Sequence, residues 1–373
     1  MDRREVFDEI CNAFEQKYSW LGEQFAEEFL YTVATYILHR YIAGEGERIR
    51  SHLLLYWRYG WLKSSLLYKA YMLLGNEYCE FMTDITKAAL RGSVEHDAHS
   101  KQVTFVPPKV LRAPFIIATE LGAITAKSNQ DDVNQLLLAM LEEGIVTVDL
   151  IKFAKLTQEQ REEVETIYGI TFRTSSSITY TVDSVILAGT YNPKYVVDPA
   201  FVSRWEIMYP KQELDVQLIK HIEANKFLIS KQVITDFRNI IKSDNSTLSK
   251  LEQEWNTPLP DAIYSCNIPA YMFTPRIVRS LKVHKLAKLF WGLDVDENIL
   301  VDRLRYMIYV QEKIQDTLED QVIEFLRKNG RSTFDEIKKG LGIPSRELTP
   351  ILKRGRDIST IKIDGKTYYF VNV

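Results

Sequence analysis

Three short apolar runs, each set among turn formers or helical patterns, restrict the possible folds of this chain more than any other feature. They are His52-Leu-Leu-Leu-Tyr-Trp57, Pro114-Phe-Ile-Ile-Ala118 and Val182 to Ala188. Runs this short read as strands buried on both faces. Leu66 to Leu74 has helical spacing and stops at Gly75-Asn76, and Asp131 to Leu141 is helical as well. Strands alternating with helices predict an α/β domain whose mostly parallel sheet is flanked by helices on both faces.

Ahead of this region, Ala26, Leu30, Val33 and Ile37 recur on one face of a helix, which Gly44-Glu-Gly46 ends. Within it, Val146 to Ile151 and Ser177 to Val182 read as hairpin arms joined through the acidic helix Gln158–Ile167. From Lys211 to about Gln311 helical patterns dominate. The tail is the most explicit stretch. Gln321–Lys328 is amphipathic and ends at Asn329-Gly330, and Thr333-Phe-Asp-Glu336 fits a capping box. Gly340-Leu-Gly342 closes that helix, and Ser345 opens another reaching Arg354. Asp364-Gly365 between two β-prone runs signals a type I′ hairpin. Three helices and a hairpin predict a winged helix, with the Tyr368-Tyr-Phe370 cluster in the core of the wing. The expected divisions are therefore 1–47 (helical), 48–210 (α/β core), 211–315 (helical) and 316–373 (winged helix).

Composition removes several classes. Of 373 residues, 46% are apolar and 26% charged, which suits a water-soluble globular protein rather than a disordered one. No apolar run is long enough to span a bilayer, and the charged start Met1-Asp-Arg-Arg-Glu lacks a signal-peptide core. The expectation is a cytoplasmic, intracellular protein without membrane association. Cys11, Cys79 and Cys266 lie far apart, outside any CxxC, so neither a disulfide framework nor a structural zinc site is expected. His96 and His99 form one close pair, better read as part of a solvated loop. The net charge of −3 is uneven: residues 321–373 carry 11 Lys/Arg against 6 Asp/Glu, a net +5, leaving −8 for the rest. A basic module on an acidic body is a layout that suits nucleic-acid contact at one end.

After the first strand comes Trp57-Arg-Tyr-Gly60-Trp-Leu-Lys63-Ser64-Ser65. A phosphate-binding loop needs curled backbone N–H groups, a Lys for the phosphates and a Ser/Thr hydroxyl for Mg²⁺, at a helix start. Lys63 and Ser64 meet the last two needs, although Trp57 and Leu62 stand where the strict motif has glycine. An ordinary βα turn is the alternative. Phe115-Ile-Ile-Ala-Thr119-Glu120 ends a strand in a carboxylate. Val185-Ile-Leu-Ala-Gly-Thr-Tyr191-Asn192-Pro193 ends another in an amide, followed by Phe201-Val-Ser-Arg204-Trp205 and, later, Thr274-Pro275-Arg276-Ile-Val-Arg279.

In this order the motifs resemble an AAA+ ATPase, and more narrowly the minichromosome-maintenance (MCM) helicase and MoxR-like branch, over roughly residues 48–290. The resemblance implies an AAA+ core, a helical lid and a C-terminal winged-helix domain. It implies ATP and Mg²⁺ as cofactors, with Gly60, Lys63, Ser64 and Ser65 at the phosphates and Ser64 on the metal. Glu120 would be the catalytic carboxylate, Asn192 sensor 1, Arg204 the arginine finger and Arg276 sensor 2. An arginine supplied between subunits implies a homo-oligomeric ring or open spiral. The inserted hairpins would hold DNA through Lys101, Lys152 and Lys155, and the winged helix through Arg346, Lys353, Arg354, Arg356 and Lys366. The chain departs from the family at Thr119, where an Asp is usual, and it lacks the N-terminal tier.

The implied activity is a DNA-binding, helicase-like ATPase in replication or remodelling. Two other readings stay open. One is a pseudo-ATPase acting as a DNA-binding scaffold or replication initiator, which Thr119 and Trp57 favour; the other is a MoxR-type chaperone. Glu120 and Asn192 can also be plain strand-end polar residues, Arg204 and Arg276 ordinary ion-paired arginines, and the winged helix a protein-docking module.

Overall fold

The computed structural model describes the chain apart from residues 43–48, 58–61, 85–86, 97–102, 122–129, 143, 191–195, 197–198, 244–247, 267–273, 344, 356 and 372–373. It divides into two compact units. One comprises Met1–Thr190 with Arg204–Asp296, the other Tyr191–Ser203 with Glu297–Val373.

The first unit is built on a five-stranded, wholly parallel sheet. Its strands are β1 (His52–Tyr56), β2 (Cys79–Asp84), β5 (Phe115–Glu120), β9 (Val185–Thr190) and β10 (Trp205–Met208), in the order β10-β1-β9-β5-β2. The three apolar runs are the central strands β1, β9 and β5, buried along nearly their whole length. The edge strands β2 and β10 escape the sequence reading because Cys-Glu-Phe-Met-Thr-Asp and Trp-Glu-Ile-Met mix charge into short runs. The chain leaves β1 through helix α2 (Lys63–Leu74), reaches the far edge at β2 and then steps back through β5 and β9. It crosses β1 to form β10. The connections therefore reverse direction around β1, β9 and β5. The carboxyl ends of a parallel sheet at such a reversal are where ligands usually bind.

The helical stretch α1 (Arg3–Ile42), two helices meeting at a break at Ser19 (φ 55°), is not a separate N-terminal segment. Its second half is buried on nearly all sides from Phe25 to Leu38, the mark of a core helix. It packs against the helices Val216–Ala224, Lys231–Lys242 and Pro275–Phe290 and against β1. The 211–296 helices thus share one core with the sheet. Side chains fasten them: Lys17 Nζ donates to the Asn225 carbonyl at 2.6 Å and the Trp291 indole N–H to Leu30 O at 2.8 Å. Arg238 Nε donates to the last turn of α2 at Leu73 O, 2.9 Å.

Two insertions leave the sheet. β3 (Ser93–His96) and β4 (Val103–Val106) form an antiparallel hairpin. β6 (Ile145–Asp149), β7 (Thr171–Thr174) and β8 (Ser177–Thr181) form a second antiparallel sheet around the helix Gln158–Tyr168. Phe105 on the first hairpin packs on Phe153 and Tyr168 of the second insertion, with ring centroids 5.9 and 6.1 Å apart. Gln160 Nε2 donates to Val103 O at 2.8 Å, so the insertions form one packed body.

In the second unit a single helix runs from Glu297 to Asn329. The helix expected over 321–328 is its last part, and the division expected at residue 316 falls inside it. Thr333 and Glu336 form the capping box of the helix Phe334–Leu341, and Ser345–Arg354 follows. β12 (Ile358–Ile363) and β13 (Lys366–Val371) pair through a turn in which Asp364 and Gly365 both have positive φ, as a type I′ turn requires. The short β11 (Ser332–Thr333) completes a sheet ordered β11-β13-β12.

Candidate functional site

The carboxyl ends of β1, β5 and β9 bring the candidate residues of the first unit together. Tyr56 at the end of β1 is in register with Thr190 at the end of β9, and Ala118 of β5 with Ala188. Leu121 N–H donates to Gly189 O at 2.6 Å, and the Thr190 hydroxyl donates to Leu121 O at 2.7 Å, which locks β5 to β9 at this end.

Helix α2 is aimed at this end and begins at Lys63, three residues before its expected start at Leu66. The preceding residue, Leu62, has φ 64° and ψ −10°. That left-handed conformation is one a glycine adopts without strain. Holding a leucine there costs about 1–2 kcal/mol. The next backbone groups point from a left-handed into a right-handed residue, an arrangement that favours anions.

Lys63 is 5% exposed. Its Nζ donates to the Trp57 carbonyl at 2.7 Å and stands 5.4 Å from the Trp57 ring centroid. Burial pulls its ammonium from the usual 10.5 down to about 8, while the Glu120 carboxylate pulls it back up. Lys63 and Glu120 are thus within electrostatic reach across the strand ends. Trp57 does not fill the loop: its ring belongs to the hydrophobic core and is 2% exposed. Ser64 is exposed to solvent, and the Ser65 hydroxyl is hydrogen-bonded to Tyr18 OH at 2.8 Å. Thr119 directs its hydroxyl to Thr83 O at 3.4 Å.

Three contributors were not legible in the motifs. A Cβ at Gly189 would lie 2.8 Å from Thr119 O and 3.4 Å from Lys63 Cβ, so only glycine lets α2 approach the sheet this closely. The end of β2 at Asp84 is in backbone register with Glu120, which brings another strand end to this level. Tyr18 ties α1 to the first turn of α2. Each depends on pairings between distant segments that no local pattern announces.

Arg204 and Arg276 lie at the other end of the sheet. Trp205 pairs with His52, the first residue of β1, and Arg276 donates to Trp205 O at 3.2 Å. Five residues of strand separate that level from Trp57, about 16 Å at the rise of an extended chain. Arg204 forms an ion pair with Glu142 of the same chain. Nearby, Arg50 donates to Met140 O at 3.0 Å and also to Val182 O, which clamps the base of the second insertion. His52 Nδ1 accepts the Ile186 N–H at 3.0 Å, and burial beside Arg50 and Arg279 holds its imidazole well below the usual 6.5.

On the second insertion, Lys152 and Lys155 are exposed on the 3₁₀ turn Ile151–Lys155, anchored by the buried Phe153. In the second unit Lys353 and Lys366 are exposed. Gly60, Lys101, Asn192 and Arg356, and the side chains of Arg346 and Arg354, lie outside the described residues. Among the described residues, no group of three or more His, Cys, Asp or Glu is placed to hold a metal ion, and no helix is long and apolar enough to cross a membrane. No protein-family model matches this chain, and no curated protein matches it.

Proposed function

We propose that this protein is a DNA-binding ATPase of the AAA+ kind, similar to the MCM and MoxR-like branch, that works as a homo-oligomer. The observation that supports this reading is the convergence of Lys63 and the Thr119–Glu120 strand end on Gly189, at the carboxyl ends of β5 and β9, just after the left-handed Leu62. These groups suit ATP with Mg²⁺. The first backbone N–H groups of α2 and the Lys63 ammonium would hold phosphate oxygens, and the exposed Ser64 hydroxyl would meet the metal. Bound Mg²⁺ would neutralise phosphate charge. In this reading Glu120 accepts a hydrogen bond from a water near the outermost phosphate.

Arg204 and Arg276 are too far from Lys63 to serve the nucleotide of their own chain. In this reading they serve the site of a neighbouring copy, with Arg204 leaving Glu142 as two copies close. That makes turnover depend on assembly. Lys152 and Lys155 on the second insertion, together with the basic second unit read as a winged helix, supply contacts to DNA phosphates. The packing of the two insertions lets them move as one body. An exclusively protein-directed, MoxR-type role would lack that DNA affinity at low salt.

A second reading, a nucleotide-binding or DNA-binding scaffold without turnover, is favoured by Thr119. Its hydroxyl turns to Thr83 O, and no carboxylate stands at that position to hold Mg²⁺. The test is binding of a fluorescent ATP analogue with Mg²⁺, with and without duplex DNA, to wild type and Lys63→Ala, followed by ATP turnover with Glu120→Gln. Binding lost in Lys63→Ala and turnover lost in Glu120→Gln support the motor. Binding without any turnover supports the scaffold, and no nucleotide binding by the wild type on DNA removes the ATPase reading.

A further inference from the structure

Strand pairing in the second unit sorts the side chains of its sheet into two faces. Ile358 pairs with Val371, and Ser332 with Tyr369. Val371 and Ser332 are buried and Ile358 lies beside Gly355, so this is the inner face. The alternate positions form the outer face, where Ser359 pairs with Phe370, Ile361 with Tyr368 and Ile363 with Lys366. By strand alternation, Tyr369 of the run Tyr368-Tyr-Phe370 shares the inner face while Tyr368 and Phe370 share the outer one, and all three are partly buried. Ile361 and Ile363 are each 37% exposed, and Tyr368 and Phe370 are partly buried.

This outer face is apolar at its centre, and its rim carries Lys366 and Arg331 together with the Glu336 carboxylate held at Thr333. Lys366 closes it at the turn, and the Arg331 guanidinium stands 5.8 Å from the Phe370 ring centroid. A second copy of the chain is a poor occupant. β12 is the edge strand, and it carries Lys362 and ends beside Lys366, charges that oppose pairing with another strand. Residues 321–373 also bear a net +5, which repels a like surface and attracts a polyanion. Flat aromatic groups on a positively charged sheet fit unpaired bases, because every base has a face to stack and a phosphate beside it.

We propose that the outer face of the β11-β13-β12 sheet binds single-stranded nucleic acid. Bases stack on Tyr368 and Phe370 over the floor made by Ile361, and Lys366 and Arg331 meet the phosphates. This surface is distinct from the helix Ser345–Arg354 that a winged helix would lay against a duplex. The proposal extends the DNA-binding reading of this unit and is independent of the nucleotide site.

The experiment is equilibrium binding of a fluorescein-labelled oligothymidine strand, and of a duplex of the same length, to the full chain at low salt. Tyr368→Ala should weaken single-strand binding about tenfold and leave duplex binding within about twofold, as expected for one lost stacking contact. Tyr368→Trp should retain single-strand affinity, and its fluorescence should be quenched as the strand binds. Lys353→Ala should act mainly on the duplex. Equal losses for both ligands in Tyr368→Ala, or no quenching of the Trp variant, overturn the platform. Duplex binding without single-strand binding overturns it too, while leaving the DNA reading intact; loss of both by the wild type removes that reading as well. Self-association abolished by Ile361→Lys would assign the face to a second copy instead.

Discussion

The Lys63 ammonium is held by the carbonyl of Trp57, at 2.7 Å, while the indole of the same Trp57 is buried in the core. The tryptophan that stands at the first loop-glycine position therefore turns its ring into the core and supplies the acceptor that keeps a buried cation satisfied. A phosphate entering the loop would compete with that carbonyl for the ammonium.

The depressed Lys63 group gives opposite pH trends for binding and stability. Its folded value, about 8, lies below its usual 10.5. The folded chain thus gives up this proton first, and the cost of burying the charge is relieved as pH rises from 8 to 10.5. In the ATPase reading, phosphate affinity should move the other way, falling by up to about tenfold per pH unit above 8, because the neutral amine no longer attracts the anion. Titrating binding of the ATP analogue between pH 7 and 10 checks this; affinity unchanged up to pH 10 would refute it.

Gly189→Ala places a methyl group 2.8 Å from the Thr119 carbonyl and against Lys63 Cβ. The nearest obstacle is backbone, which cannot swing aside. The substitution should cost about 1–3 kcal/mol of stability in urea unfolding and weaken the ATP analogue more than DNA. Unchanged nucleotide affinity would mean that α2 is free to retreat.

In the oligomeric reading, Arg204→Ala separates a partner's site from the chain's own. Nucleotide binding should stay within about twofold, while turnover falls by about a thousandfold or more, the usual effect of losing an arginine finger. Mixing Arg204→Ala with Lys63→Ala copies should restore part of the turnover, since some interfaces then regain both groups. Turnover that Arg204→Ala leaves intact would return the residue to a purely structural pairing with Glu142.

His52 should make the fold acid-sensitive. Burial beside two arginines keeps its imidazole neutral in the folded chain, whereas the unfolded chain takes up a proton below about 6.5. Stability is therefore present above that pH and declines as pH falls through it. Urea midpoints at pH 7.5, 6.5 and 5.5 should fall in that order, and His52→Gln should flatten the trend. A slope unchanged by the substitution would place the acid sensitivity elsewhere.

Local chemistry made much of the fold readable. The central strands announced themselves because strands buried on both faces are nearly uninterrupted apolar runs. Thr333 with Glu336, and Asp364 with Gly365, declared a helix start and a turn because those side chains satisfy or permit specific backbone geometry within a few residues. The edge strands β2 and β10 were silent: half of an edge faces solvent or charge, which erases the apolar run. Of the candidate site, Lys63, Ser64 and Glu120 were visible as a Lys-Ser pair before a helix and a carboxylate ending a strand.

The amino-acid sequence by itself settled the alternation of strands and helices, the basic tail and the polar groups at the strand ends, all properties of neighbours along the chain. The tertiary structure alone decided that α1 is a core helix, that Gly189 makes room for Lys63, and that Arg204 and Arg276 stand at the far end of the sheet. It also decided that Tyr368 and Phe370 face outward while Tyr369 does not. Each of these rests on which distant backbone segments pair and in what register, and a single-residue shift in register would reverse every face.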